Sequence, residues 1–248
     1  MHMPSKPGQR LIKTVVLASL LGVAGISPLN AETTKNTAPT LACSHFTPDA
    51  EYINITLVMQ LENREVALRV PQEFLEDPWN RQEGVHRTAF LFTTTTDTFE
   101  PVKRAETPYL DFEYTTFLID DYIDLTGIAA LVLDSASPGK ASPWEPLSAY
   151  NTRPFQYGLV EVIPNYPKEL QADVYLNTDQ DGGIDTVITC RKPEASAYPT
   201  CQQFSRTPSG VDIKFHYPIR FLPIWQKMQT NIHSFVECAI DEANKERQ

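Results

Sequence analysis

Between Ile53 and Met59 the chain alternates. Ile53, Ile55, Leu57 and Met59 are apolar while most of their neighbours are polar, the period of a strand with one buried face. Glu62-Asn63 supplies a tight turn, and Val66, Leu68 and Val70 resume the alternation, so the two runs read as a β-hairpin. Pro71 opens a short helical piece, PQEFLED, which Pro78 stops because proline has no N–H to donate. Thr88 to Phe99, rich in threonine and phenylalanine, has strong β propensity, and Thr115–Ile119 and Ile128–Leu133 read as further strands. Residues 134–154 hold several prolines and serines and read as a long loop. Tyr157–Ile163 is the next expected strand. Two hairpins come after it: Ala172–Leu176 with Ile184–Cys190, and Cys201–Arg206 with Val211–Tyr217.

The chain then changes period. Leu222, Trp225, Met228, Ile232, Phe235, Val236 and Ala239 recur at three- and four-residue steps, which predicts one amphipathic helix over about Leu222–Ala243. Pro223 suits its first turn. Many short strands and one long helix give an α+β class: an antiparallel β-sheet built from hairpins with a long C-terminal amphipathic helix.

The N-terminus carries a different signal. Lys6, Arg10 and Lys13 precede a run of 13 uncharged residues, Thr14–Ile26, and Ser27-Pro28 then leads to Ala31. A basic start, a short apolar core and a small-residue exit predict a secretory signal peptide over 1–31, cleaved after Ala31. A membrane-spanning helix needs about 20 apolar residues, so the run is too short to anchor the chain. Residues 32–42 read as a flexible lead and 43–248 as a single globular domain. The expected location is the periplasm or the extracellular space, with no stable membrane insertion after cleavage.

Net charge is −10 over the whole chain, and the leader contains three basic and no acidic residues, so the mature portion is more negative still. That disfavours nucleic acid, which needs a cationic surface, and anionic lipid. Four cysteines in an exported chain imply two disulfides. Cys190 ends one expected strand and Cys201 begins the next, which predicts Cys190–Cys201, and elimination leaves Cys43–Cys238.

Candidate chemistry is sparse. Asn177, Asp179, Asp181 and Asp185 fall at positions 1, 3, 5 and 9 of a turn with Gly182 at position 6. The segment resembles the loops of extracellular calcium modules, because a hard cation needs several oxygens converging from one tight turn. Position 12 is Ile188 where an EF-hand has glutamate, and a hairpin turn alone also asks for Asp-Gly-Gly. Calcium is the one cofactor the sequence suggests. Asp120, Asp121 and Asp124 are the nearest approach to paired carboxylates for glycoside cleavage, although neighbours on a strand point to opposite faces. His45, His86, His216 and His233 stand in no metalloprotease or hydrolase motif, and with 10 glycines in the chain no phosphate loop is present. These features favour a non-enzymatic protein-binding module, with a toxin-neutralising or immunity-type protein as its sharpest form, over an envelope hydrolase acting on peptidoglycan or glycans. Trp79, Trp144 and Tyr150 are the loop aromatics expected to anchor a protein partner.

Overall fold

The computed structural model describes residues 40–75, 78–102, 113–122, 124–137, 150–164 and 169–247. The expected signal peptide and Trp144 lie outside them. The strands and helices are β1 (Tyr52–Met59), β2 (Arg64–Pro71), β3 (Val85–Arg87), β4 (Phe90–Thr95), β5 (Tyr114–Asp120), α1 (Leu125–Ala136), β6 (Tyr150–Pro154), β7 (Val160–Pro164), β8 (Ala172–Thr178), β9 (Ile184–Arg191), β10 (Thr200–Arg206), β11 (Asp212–Pro218) and α2 (Trp225–Glu246).

The fold is α+β. Eight strands form one antiparallel sheet in the order β4-β5-β11-β10-β9-β8-β7-β6, and β2-β1-β3 form a small second sheet. In the small sheet β1 and β2 make the expected hairpin, whereas β3 runs parallel to β1.

Register sorts the large sheet's residues between two cores. Phe92 pairs with Phe117, and Phe117 with Phe215, so one face presents a phenylalanine row. Phe235 of α2 lies over it, with ring centroids 5.5 Å from Phe92 and 5.8 Å from Phe117. Phe74, from the 3-10 turn after β2, closes on Phe235 at 4.7 Å. Each such ring taken out of water contributes about 1.5–3 kcal/mol, so this cluster ties α2, the large sheet and the small sheet together. On the other face Val174, Leu176, Val187 and Phe204 pack under Ile128, Ala129, Val132 and Leu133 of α1.

Four expectations need correction. Ile128–Leu133 is not a strand but the middle of α1. Asp124 caps that helix by accepting from the Gly127 N–H at 2.9 Å, and its buried residues fall at helical steps. The loop expected over 134–154 is helix at its start and edge strand β6 at its end. Tyr157 does not open a strand; it sits in a 3-10 turn with φ +62°, and β7 starts at Val160. The lead ends before residue 42, since Leu41–His45 form a 3-10 turn and Ala42 is fully buried in the main core.

Two disulfides are formed. Cys190 and Cys201 are direct cross-strand partners with Cα atoms 4.0 Å apart. Cys43–Cys238 fastens the first 3-10 turn to α2 across 195 residues of sequence. Disulfides persist in oxidising compartments outside the cytoplasm. Among the described residues no helix is long and apolar enough to cross a membrane.

Candidate functional site

The aspartates that suggested hydrolysis are taken up by backbone donors. Asp124 caps α1. Asp121 Oδ2 accepts from the Leu61 N–H at the tip of the β1–β2 hairpin, tying the two sheets together. Asp120 Oδ1 accepts from the Asp121 N–H at 2.7 Å. The site reading fails because each carboxylate closes a local turn or joins two elements.

The residues of the expected calcium loop also take part in the turn. Asp179 Oδ1 accepts from the N–H groups of Asp181, 2.9 Å, and Gly183, 2.8 Å, so this carboxylate folds the turn itself. Asn177 Nδ2 donates to the Gly158 carbonyl at 3.0 Å, on the neighbouring hairpin, and Asp185 Oδ2 lies 3.1 Å from Thr186 Oγ1. The side chains expected to converge on a cation are directed to separate partners. Among the described residues no three acidic, histidine or cysteine side chains are gathered to hold a metal ion.

Of the three expected anchors, the two that are described stand in different surroundings. Trp79 sits in the 3-10 turn between β2 and β3 and is 68% exposed. Tyr150 is only 7% exposed, packed in the α1 core with its hydroxyl 3.4 Å from Ser137 Oγ, so it is a core residue and not an exposed anchor. Trp144 lies outside the described residues.

The histidines have separate surroundings. His45 meets the edge of Phe74 at 5.0 Å, and His86 lies 3.7 Å from Glu65 on the exposed face of the small sheet. His233 of α2 places Nε2 2.8 Å from Ser205 Oγ on β10. That spacing suits a nucleophile and its base. Ser205, however, is 1% exposed beneath α2. Burial also pushes His233 down to about 4, against partial opposition from Asp185 and Glu237. A base so weak, holding a serine no substrate reaches, is a packing contact. The same interface carries Gln229, whose Oε1 accepts from Gln203 Nε2 at 2.6 Å and Thr186 Oγ1 at 3.0 Å. Tyr217 in turn donates to Gln203 at 3.0 Å. These side chains answer one another, as a buried network requires.

A concavity among the described residues lies elsewhere. A trough of about 1400 Å³ runs beside α1 over the outer face of β9, β10 and β11. Its wall is apolar, from Ile128, Leu131 and Val132 of α1. Its floor is polar: register aligns Gln202 with both Thr189 and His216 and puts Phe204 beside Lys214, and the lining holds Glu169, Asp173 and Glu194 as well as Arg191, Lys192 and Lys214. Arg191 closes the end of β9, and Lys192 beyond it lies 3.6 Å from Glu169 and 3.9 Å from Asp173. Burial, then Lys214 and Arg191, lower the His216 pKa. Sequence reasoning missed the trough, because its residues come from separate strands.

No protein-family model matches the chain, and no curated protein matches it. Two solved structures are similar to it. One is an immunity protein of the Stenotrophomonas maltophilia type IV secretion system, with TM-score 0.56 and 14% identity, covering 76% of this chain and 94% of that one. The other is the iron-regulated outer membrane lipoprotein FrpD of Neisseria meningitidis, with TM-score 0.47 and 12% identity, covering 82% of this chain and 96% of that one. At such identities the first likeness establishes a common fold.

Proposed function

We propose that this chain is an exported, non-enzymatic protein-binding module of the immunity type, which neutralises an antagonistic effector outside the cytoplasmic membrane. The observation that carries this reading is the scaffold shared with a secretion-system immunity protein over 94% of that protein's length. Three features support it. The N-terminal pattern is that of a cleaved leader. Two disulfides suit the destination. The carboxylates and the serine–histidine pair that a hydrolase would use are occupied in holding the fold.

An inhibitor needs a rigid scaffold, a field that steers its target and exposed anchors. The turns that end β1, β8 and β10 gather at one end of the molecule, through the sheet register and the Arg206–Glu62 pair. Glu62, Asp179 and Asp181 stand there. With a net charge of −10, such a surface speeds encounter with a basic partner and makes it salt-sensitive. Trp79 is the exposed tryptophan offered to an interface.

The test starts from cells expressing the full-length gene. Protein captured on the processed, oxidised chain is identified, purified and titrated back, and its toxicity is measured with and without co-expression of this chain. Stoichiometric binding that abolishes toxicity is the expected result. Turnover of peptidoglycan or a glycan by the purified chain, or toxicity unchanged by co-expression, overturns the reading.

A further inference from the structure

We infer that the Cys43–Cys238 disulfide is a reducible clip: a dithiol reductant opens it in the folded chain while Cys190–Cys201 stays closed, and opening releases the turn Leu41–His45, with Phe46, from α2. The clip is independent of the protein-binding role proposed above.

Thiol–disulfide exchange needs a thiolate to reach the sulfur it attacks, so access decides which bond opens first. The two bonds differ in access. Cys190 and Cys201 are 0% exposed and belong to the main core. They stand on central strands, where Cys190 also pairs with Asp173 of β8 and Cys201 with Tyr217 of β11. A reagent reaches them only after the middle of the large sheet unpairs. Cys43 and Cys238 are half-buried, one on the first 3-10 turn and the other on α2.

Apart from the disulfide, side-chain packing fastens the turn. Its backbone hydrogen bonds among the described residues are local: the Cys43 N–H donates to the Thr40 carbonyl at 3.0 Å and the Phe46 N–H to the Cys43 carbonyl at 3.2 Å. Ser44 Oγ donates to the Leu41 carbonyl at 2.6 Å, again within the turn. Ala42 is buried in the core, His45 meets Phe74 at 5.0 Å with Nδ1 3.8 Å from Glu73, and Phe46 lies 5.4 Å from Phe235 of α2. At the entry to β1 the Gln72 N–H donates to the Glu51 carbonyl at 2.8 Å, which holds the chain independently of the clip. The turn can therefore leave α2 without parting any strand from its neighbour.

The chemistry balances as follows. A thiolate of the dithiol attacks one sulfur of the clip, the S–S bond breaks, and the other sulfur leaves as a thiolate that takes up a proton. The second thiol of the reductant then attacks the mixed disulfide, so two electrons and two protons pass to the chain and the reductant becomes a disulfide. A disulfide oxidant drives the reverse reaction and closes the clip. Reducing and oxidising compartments thus set the state of the turn, and with it the cover that Ala42 and Phe46 give to α2.

The test treats the full processed, oxidised chain with dithiothreitol in the absence of denaturant. Thiols released over time are trapped with N-ethylmaleimide and located by peptide mass spectrometry. Cys43 and Cys238 are labelled about tenfold or more faster than Cys190 and Cys201, and denaturant removes the difference. Chymotrypsin then cuts the selectively reduced chain at Phe46 faster than the oxidised chain, and reoxidation restores resistance. Cys43→Ser/Cys238→Ser is cut there at the reduced chain's rate with or without dithiothreitol. Equal labelling of the two pairs in the folded chain, earlier labelling of Cys190 and Cys201, or no labelling before the chain unfolds would each overturn the differential access. Labelled Cys43 and Cys238 with Phe46 still resistant would overturn the release. The labelling kinetics of wild type decide the first point even where the double variant folds poorly.

Discussion

Ser205 Oγ and His233 Nε2 stand 2.8 Å apart beneath α2, a hydrogen bond that holds the helix to the middle of the large sheet. Its energetic consequence is a dependence on pH. Burial lowers His233 from its ordinary 6.5 to about 4 in the folded chain. The unfolded chain therefore takes up the proton first, and this site's contribution is lost as pH falls from about 6.5 toward about 4. The loss is at most about 3 kcal/mol. Chemical denaturation at several pH values, on wild type and His233→Leu, measures it: the wild type should weaken more steeply than the variant across that window. Parallel curves would refute it.

The hairpins were legible in the sequence because a half-buried strand repeats every second residue, and α2 because its apolar residues keep to one helical face. Ile128–Leu133 misled for a physical reason. A short buried run is apolar on all sides, so periodicity cannot separate strand from helix there. Asp124, three residues before Gly127, was the available cap signal. Strand β6 could not be read at all: Asn151 to Pro154 are exposed on an edge, and pairing with β7 rather than side-chain pattern makes them a strand. The trough is a product of register. Arg191 sits on β9, and Lys214 and His216 on β11; only β10 between them puts all three on one face.

Arg206 joins the two sheets through carboxylates of unequal burial. Its Nε lies 2.8 Å from Asp212, whose side chain is almost wholly buried, and its terminal nitrogen 2.6 Å from the more exposed Glu62. Asp212 also accepts from the Tyr122 N–H at 2.9 Å. Arg206→Ala leaves Asp212 buried without its counter-ion and should cost about 2–3 kcal/mol, below the range for fully buried pairs because Arg206 is half exposed. Glu62→Ala, which removes only the outer partner, should cost about 1 kcal/mol or less. Urea denaturation of both variants tests the ordering, and equal losses would show that burial of Asp212 is not what matters.

The disulfides should differ in weight. Cys43–Cys238 closes 195 residues and Cys190–Cys201 closes 11. In the chain-entropy model those loops are worth about 5 and about 3 kcal/mol. The double variant Cys43→Ala/Cys238→Ala should therefore melt below Cys190→Ala/Cys201→Ala. It also frees the turn carrying Ala42 from α2, so proteolysis near residue 43 should accelerate in that variant alone. The reverse order of melting would mean that strain or residual structure in the unfolded chain outweighs loop length.

Asp179 distinguishes a turn from a calcium site. Its carboxylate already accepts two backbone N–H groups, and the turn places Gly182 at φ +83°, where a side chain would be strained. These bonds use Asp179 Oδ1 and Asn177 Nδ2, whereas a cation would call on Asp179 Oδ2 and Asn177 Oδ1. Among the described residues, however, no three acidic, histidine or cysteine side chains are gathered to hold a metal ion. Asp179→Ala should destabilise the chain by about 1 kcal/mol with no calcium present, because two backbone N–H groups lose a charged acceptor at an exposed turn where water replaces it only in part. Millimolar calcium should leave the melting temperature of wild type unchanged, whereas an extracellular calcium module binding at about 0.1–1 mM would be stabilised at that concentration. Thermal melts of both proteins, with calcium and with chelator, decide between the two. A rise in the wild-type melting temperature that Asp179→Ala abolishes would restore the loop as a metal site.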